Sequence, residues 1–243
     1  MKIFRLKFLL LFFIVITYNM CSQNSESKIN EPDLTLLENI YPESTIIIST
    51  HGDWTKSHYP KRIDEFKKNP LEKGDIVFLG NSITEQAGHW GAKVNSTKAK
   101  NRGISGDTTE GVLARLRELI YYKPQQVFIL IGINDLFRDD MTSEKVFNNI
   151  LKIVHQISDG SPRTKIFVQT ILPTNTLTLI EKILSTNSLL TNSEATEPYK
   201  LISLHNLFTT ESGLMNMELS TDGVHLNENG YAVWVDKIIH LID

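Results

Sequence analysis

The chain has 243 residues, of which 41% are hydrophobic and 22% charged, and its 25 Lys and Arg against 28 Asp and Glu give a net charge of −3. This length and composition fit one globular domain. They exclude a disordered or collagenous chain and a multi-pass membrane protein, and the single cysteine excludes a disulfide framework. Nucleic acid is excluded as a partner, because phosphate binding requires clustered Lys and Arg.

The first twenty residues have the layout of an export signal. Lys2, Arg5 and Lys7 precede an apolar stretch over residues 8–16, which is too short to span a bilayer. The only cysteine, Cys21, comes shortly after it and is followed by a polar run. The segment resembles a bacterial lipoprotein leader, which implies lipidation of Cys21 and attachment to a membrane of the cell envelope. The alternatives are an uncleaved N-terminal anchor and cleavage to a soluble secreted or periplasmic protein.

These features divide the chain into an export signal over residues 1–21, a tether and N-terminal extension over residues 22–58, and one folded domain over residues 59–243. Without the three bases of the signal, 22 bases stand against 28 acids, a net charge of −6. An anionic surface disfavours electrostatic attachment to anionic lipid. Membrane attachment is therefore expected through Cys21 alone.

Apolar runs of strand length alternate with amphipathic segments along the rest of the chain, which predicts a parallel sheet covered by helices. Strands are expected over residues 75–79, 98–102, 126–132, 165–170 and 200–204. Helices are expected over residues 62–68, 109–120, 143–158 and 179–190, and from the N-cap Asn227 to the C-terminus. Residues 45–49 form a further β-prone run.

Polar residues follow the predicted strands at their carboxyl ends, where the loops of an open α/β sheet converge. Ser82 follows the first strand, Gly106 the second and Asn134 the third, while Asp222 and His225 stand before the last helix. Singly, each is explained by a turn or a helix cap. Together they supply a nucleophile, hydrogen-bond donors for an oxyanion and an acid–histidine pair.

Four ordered segments carrying these residues resemble the signature blocks of the SGNH hydrolases, the GDSL lipase and acylhydrolase family. They read GNSIT, NRGISGDTTEGVLARL, ILIGIND and DGVHLNENGYAVW. Within this family, the last three segments are similar to the group that includes platelet-activating-factor acetylhydrolase subunits and bacterial carbohydrate O-acetylesterases. The resemblance covers about residues 59–242 and implies a flavodoxin-like three-layer α/β/α sandwich with a central parallel sheet, the SGNH hydrolase fold.

The resemblance also assigns roles. Ser82 matches the nucleophile and Asp222 with His225 the rest of the catalytic set, while Ser82, Gly106 and Asn134 match the oxyanion hole. A serine hydroxyl needs a base to accept its proton, which makes His225 the general base, and Asp222 would fix the tautomer of the imidazole. This chemistry requires no cofactor.

No metal site is expected either. His51 and Asp53 could suggest a pair of ligands, but no further His or Cys stands at a suitable spacing. A structural loop is the simpler interpretation of this segment.

The expected activity is that of an exported esterase that removes a short acyl group from an alcohol oxygen of a carbohydrate or small ester, the acetyl preference being implied by the resemblance. A lysophospholipase or thioesterase with a longer acyl pocket is the alternative enzyme. Asn81 replaces the family's usual Asp, which leaves open a catalytically weak, lipid-anchored binding module. An α/β-hydrolase is disfavoured because Thr84 breaks its Gly-x-Ser-x-Gly elbow. Residues 174–197 follow a predicted strand and are expected close to the site.

Overall fold

A central parallel sheet with helices on both faces forms the fold, in agreement with the architecture that the resemblance implied. The structure is a computed structural model that describes residues 40–242, so the predicted export signal and Cys21 lie outside the described residues. The strands are β1 Ile76–Gly80, β2 Ala99–Gly103, β3 Gln126–Leu130, β4 Lys165–Gln169 and β5 Lys200–Ile202. All five strand predictions are confirmed, with bounds within two residues of those expected.

The strand order is β2-β1-β3-β4-β5, and every neighbouring pair is parallel. The chain moves outward from β1 in one direction to β2 and in the other to β3, so the topology reverses beside β1. In open α/β sheets the crevice at such a reversal, at the carboxyl ends of the strands, is where ligands bind. The loop after β1 carries Ser82, which places it at this point.

The helices of the described chain are mostly short. They are α1 Asp53–Lys68, α2 Ser82–Glu85, α3 Trp90–Lys93, α4 Thr109–Ala114, α5 Arg117–Tyr122, α6 Ile133–Leu136, α7 Ser143–Gly160, α8 Ile180–Ser193, α9 His205–Phe208 and α10 Glu228–Ile238. Helix α10 begins after Asn227, whose side chain accepts the N–H of Gly230, so the predicted N-cap is confirmed. Within the described residues, no helix is long and apolar enough to cross a membrane.

Aromatic side chains join the sheet to one helical layer. Phe78, Phe128 and Phe167 lie side by side on β1, β3 and β4, with ring centroids 5.1 and 4.7 Å apart. Trp90 of α3 stacks on Phe78 at 3.7 Å and meets Trp234 of α10 edge-on at 4.9 Å. Because strands β1 and β3 are buried on both faces, they form the core that fixes the loops at the sheet edge.

Two predicted elements are wrong. The single helix expected over residues 109–120 is two helices, α4 and α5, interrupted at Arg115, whose guanidinium reaches into the buried interior. Residues 45–49 form no strand: Thr45 and Ser49 lie in turns, the residues between them have no regular secondary structure, and Ile47 is 80% exposed. A β-prone sequence forms a strand only where a sheet edge is free to pair with it, and this segment has no such partner among the described residues.

The described part of the N-terminal extension, residues 40–58, contacts the domain. The predicted boundary at residue 59 falls inside α1, which begins at Asp53. Thr50 shares a 2.6 Å hydrogen bond with Thr108, and Tyr41 donates to Glu118 at 2.9 Å. The described part of the extension therefore forms one wall of the loop that follows β2.

Candidate active site

Ser82 is presented at the start of a helix by the turn that ends β1. Asn81 is the N-cap of α2, and its Oδ1 accepts the N–H of Ile83 at 3.1 Å. The Ser82 side chain is nearly buried, with 7% of the residue exposed. The amide nitrogen of Asn81 is buried and has no hydrogen-bond partner among the described residues. Asparagine in place of the usual Asp thus keeps the cap but leaves its own N–H groups unsatisfied.

Ser82, His225 and Asp222 form a continuous hydrogen-bonded relay. Nε2 of His225 lies 2.9 Å from Oγ of Ser82, and Nδ1 of His225 lies 2.7 Å from Oδ2 of Asp222. With Asp222 accepting from Nδ1–H, the lone pair of Nε2 faces the serine hydroxyl, which is the tautomer that a general base requires. Ser82 and His225, which are 143 positions apart in the sequence, are therefore in direct contact, and Asp222 contacts His225 in turn.

Asp222 is held as a carboxylate by its own loop. Burial opposes its ionisation, but the N–H of His225 at 2.8 Å, the imidazole and the N–H of Val224 at 3.0 Å together lower the pKa of Asp222 to about 2. The carboxyl is therefore ionised across the range in which an imidazole titrates.

The loop that carries His225 is braced by the segment after β4. Oγ of Ser220 donates to the carbonyl of His225 at 2.6 Å and accepts the N–H of Gly223 at 2.9 Å. The N–H of Asn175 donates to the carbonyl of Gly223 at 2.9 Å. The start of residues 174–197 thus lies beside the His225 loop, as expected.

The candidate oxyanion donors come from three segments that follow β1, β2 and β3: Ser82 begins α2, Gly106 lies in a loop, and Asn134 lies in α6. Gly106 has φ of +78°, and a Cβ there would lie 1.9 Å from Oγ1 of Thr55, so only glycine fits. The backbone N–H groups of Ser82 and Gly106 make no hydrogen bond within the described chain. Nδ2 of Asn134 donates to the carbonyl of Asp107 at 2.9 Å, which leaves its second N–H for a ligand.

A buried ionic cluster holds the residue after Gly106. Asp107 is fully buried and accepts from Nε and Nη2 of Arg115, at 3.1 and 2.9 Å, and from Nε2 of His51 at 2.9 Å. Arg115 also donates to the carbonyl of Gly80 at 3.1 Å, which ties the cluster to the end of β1. His51 is structural, as its sequence context indicated, but its partner was not predicted. Groups of three or more His, Cys, Asp or Glu side chains that could hold a metal ion do not occur in residues 40–242.

A second buried carboxylate supports the Asn134 loop. Asp135 accepts the N–H of Thr109 at 3.0 Å and its hydroxyl at 2.5 Å. Burial raises the pKa of Asp135 to about 6, with the Thr109 hydrogen bonds opposing the rise and the charge of Asp107 adding to it. This contact joins the loop after β3 to the start of α4.

Known proteins are similar to this chain over most of its length. Residues 78–233 match the model of the GDSL-like lipase/acylhydrolase family. The chain is 30% identical over 199 residues to platelet-activating factor acetylhydrolase IB subunit alpha2 of Rattus norvegicus, covering 79% of this chain and 84% of that protein.

Solved structures share the fold. A GDSL-like lipase from Bacteroides thetaiotaomicron superposes with a TM-score of 0.67 at 23% identity, covering 76% of this chain and 97% of that one. An acetyl-xylooligosaccharide esterase from Geobacillus gives 0.58 at 18% identity, with 71% and 95% covered. The family match, the extent of the relative's alignment and the shared fold agree: the chain belongs to the GDSL-like lipase/acylhydrolase family and is a hydrolase of carboxylic ester bonds.

Proposed function

We propose that the chain is a serine esterase that removes short acyl groups, acetyl above all, from alcohol oxygens of carbohydrates or small esters. The observation that carries the proposal is the relay from Ser82 through His225 to Asp222, with contacts of 2.9 and 2.7 Å. The acetyl preference is supported by the name of the rat relative, an acetylhydrolase. A carbohydrate as the substrate is supported by the resemblance of the sequence blocks to carbohydrate O-acetylesterases.

In the first half-reaction, Oγ of Ser82 attacks the carbonyl carbon of the ester while its proton passes to Nε2 of His225. The carbonyl oxygen becomes an oxyanion that accepts hydrogen bonds from the N–H groups of Ser82 and Gly106 and from the Asn134 amide. Each such donor typically stabilises the transition state by about 3 kcal/mol. The carboxylate of Asp222 stabilises the imidazolium.

The tetrahedral intermediate collapses as the C–O bond to the alcohol breaks. His225 returns the proton to the departing alcohol oxygen, which leaves an acyl group on Ser82. A water molecule then attacks the acyl carbon and gives its proton to His225. The bond between the acyl carbon and Oγ of Ser82 breaks, His225 returns the proton to Oγ, and the acid leaves. The chain's own residues supply every proton transfer, so the cycle requires no cofactor.

The mechanism is tested with the full chain on p-nitrophenyl acetate. Ser82→Ala should abolish turnover and leave the circular dichroism spectrum and unfolding midpoint unchanged. Ser57→Ala, an exposed serine on α1, is the matched control and should retain activity. Turnover by Ser82→Ala at the wild-type rate would contradict the serine mechanism.

The acyl preference is tested with p-nitrophenyl esters of two, four, eight and ten carbons and with acetylated sugars. The proposal expects kcat/KM to be highest for acetyl and to fall with chain length. Preference for the long chains would favour the lysophospholipase or thioesterase alternative. Binding of acetylated glycans without turnover would favour a binding module.

The proposal places this activity outside the cytoplasm, tethered to a membrane by a lipid on Cys21, on the basis of the N-terminal leader. Metabolic labelling of expressing bacteria with a palmitate analogue should tag the wild-type chain and not Cys21→Ser. Equal labelling of both, or of neither, would contradict the tether and leave the esterase proposal standing.

A further inference from the structure

Glu85 occupies a central place between the nucleophile and the oxyanion loop, although neither the family blocks nor the relay includes it. It lies one helical turn after Ser82 on α2, and its side chain is only 18% exposed. One oxygen accepts the backbone N–H of Ser105 at 2.5 Å. The other lies 3.0 Å from Nε2 of His58 and 3.2 Å from Nε of Arg62. The carboxylate thus joins α2, the loop after β2 and α1.

The contact with Ser105 bears on catalysis because Ser105 precedes Gly106. The oxyanion hole needs two backbone N–H groups from different loops at a fixed separation, one at Ser82 and one at Gly106. A backbone N–H cannot be reoriented by rotating a side chain of its own residue. Its position therefore depends on the groups that hold the adjacent peptides. On the Ser105 side, Glu85 is the group that ties this peptide to the nucleophile helix.

The charge of Glu85 is fixed by its surroundings. Burial alone would raise the pKa of Glu85, but the Ser105 hydrogen bonds, the His58 contact and the Arg62 charge lower it below its ordinary value. Arg62 also donates to the carbonyl of Gly103 at 3.1 Å. Helix α1 therefore contacts both the end of β2 and Glu85. An ionised Glu85, oriented by two donors, holds the Ser105 N–H more rigidly than a neutral side chain could.

We propose that Glu85 is a positioning residue, whose carboxylate sets the Gly106 N–H at the correct distance from Ser82 to bind the oxyanion. The inference rests on the proposed serine mechanism. It differs from a merely structural role, in which Glu85 would only hold α1 against the domain. If Glu85 acts through the oxyanion, its loss must weaken the transition state far more than the bound substrate.

The test compares phenyl acetate with its thiono analogue, in which sulfur replaces the carbonyl oxygen. Sulfur is a weak hydrogen-bond acceptor, so turnover of the thiono ester depends little on the oxyanion donors. In Glu85→Gln, kcat for phenyl acetate should fall about 10- to 100-fold with KM little changed, as expected for a misplacement near 1 Å. The thiono ester should lose less than about threefold, because its transition state gains little from the donors lost.

Two further variants make the comparison specific. Asp64→Asn is the matched control, because Asp64 is an exposed carboxylate of the same helix that pairs with Lys67 and not with Arg62 or Glu85, and it should leave both rates unchanged. Arg62→Met removes one partner of Glu85 and should reduce the oxo-to-thiono ratio in the same direction. It provides the test if Glu85→Gln does not fold.

The outcomes distinguish the positioning role of Glu85 from the serine mechanism. Equal losses on both esters, a change in KM alone, or no loss in folded Glu85→Gln would overturn the positioning role. Ser82→Ala decides the proposed function independently, because it should lose turnover of both esters. If Ser82→Ala is inactive and Glu85→Gln keeps the wild-type ratio, only the inference about Glu85 fails.

Discussion

The raised pKa of the buried Asp135 carboxyl can be tested quantitatively through the pH dependence of stability. Its carboxyl is fully buried, and burial raises its pKa from 3.8 to about 6. In the unfolded chain the same group titrates at about 3.9. The difference of about 2 units corresponds to about 3 kcal/mol. A buried carboxylate whose pKa is raised binds its proton more tightly in the folded state than in the unfolded state.

The sign follows from this proton balance. Below about pH 4 both states are protonated, and the contribution of Asp135 to stability is fully present. As the pH rises towards 6 the unfolded chain releases the proton first, so the free energy of unfolding falls. Above the folded pKa of about 6, the whole of the roughly 3 kcal/mol is lost. Other carboxylates add their own pH dependence, so the contribution of Asp135 must be measured as a difference between variants.

The perturbation is Asp135→Asn, which keeps the size of the side chain and cannot ionise. Urea unfolding followed by circular dichroism at pH 4, 5, 6, 7 and 8 gives the free energy of unfolding for both proteins. The variant loses one acceptor for Thr109, which shifts its stability equally at every pH. The unfolded carboxyl is already about half ionised at pH 4, so the difference, variant minus wild type, should rise by about 2 kcal/mol between pH 4 and pH 7.

Asp139→Asn is the control, because Asp139 is an exposed carboxyl on the following turn, and its pH profile should follow that of the wild type. A difference for Asp135→Asn that changes by less than about 1 kcal/mol over the same range would contradict a raised pKa of Asp135, since the folded pKa would then be close to that of the unfolded chain.

Three further variants test the roles assigned to the site. Asn134→Ala removes one oxyanion donor and should lower kcat for p-nitrophenyl acetate about 100- to 1000-fold with KM little changed; a rise in KM alone would contradict the role. Asp222→Asn removes the acceptor that fixes the tautomer of His225 and should lower kcat about 10⁴-fold without altering the unfolding midpoint; a loss below about tenfold would contradict it. Arg115→Met leaves the buried charge of Asp107 without its guanidinium and should reduce the free energy of unfolding by about 3–5 kcal/mol in urea, whereas a loss below about 1 kcal/mol would show that the charge is compensated elsewhere.

The sheet could be predicted from the sequence because its strands are apolar on both faces. Residues 76–79 and 127–130 are buried without exception, so they read as continuous apolar runs rather than alternating ones. Their order and spacing left a parallel doubly wound sheet as the natural arrangement. The helix from Asn227 was predictable for a different reason, namely that its N-cap and apolar face are local in sequence.

Tertiary contacts explain what the sequence did not reveal. Helical periodicity over residues 109–120 is real, but the chain breaks at Arg115, where the side chain reaches Asp107 and the Gly80 carbonyl. The link from Glu85 to Ser105 joins groups 20 residues apart through a backbone N–H, which has no residue type to mark it. The glutamate in the turn after the serine was the only local signal for it.

The proposed catalytic set was easier to recognise in the sequence than the groups that hold it in place. The relay is made of side chains, so its residue types are visible in the sequence, and short local hydrogen bonds hold it at the surface, where the Asp222 side chain is 53% exposed. The proposed oxyanion hole is made largely of backbone N–H groups, which any residue carries. To hold such groups in place, the fold surrounds Gly106 with Glu85 on one side and the buried charge of Asp107 on the other. A backbone donor can be fixed only through its neighbours. The buried charged side chains of this site therefore lie around the loop that carries Gly106 and not around Ser82.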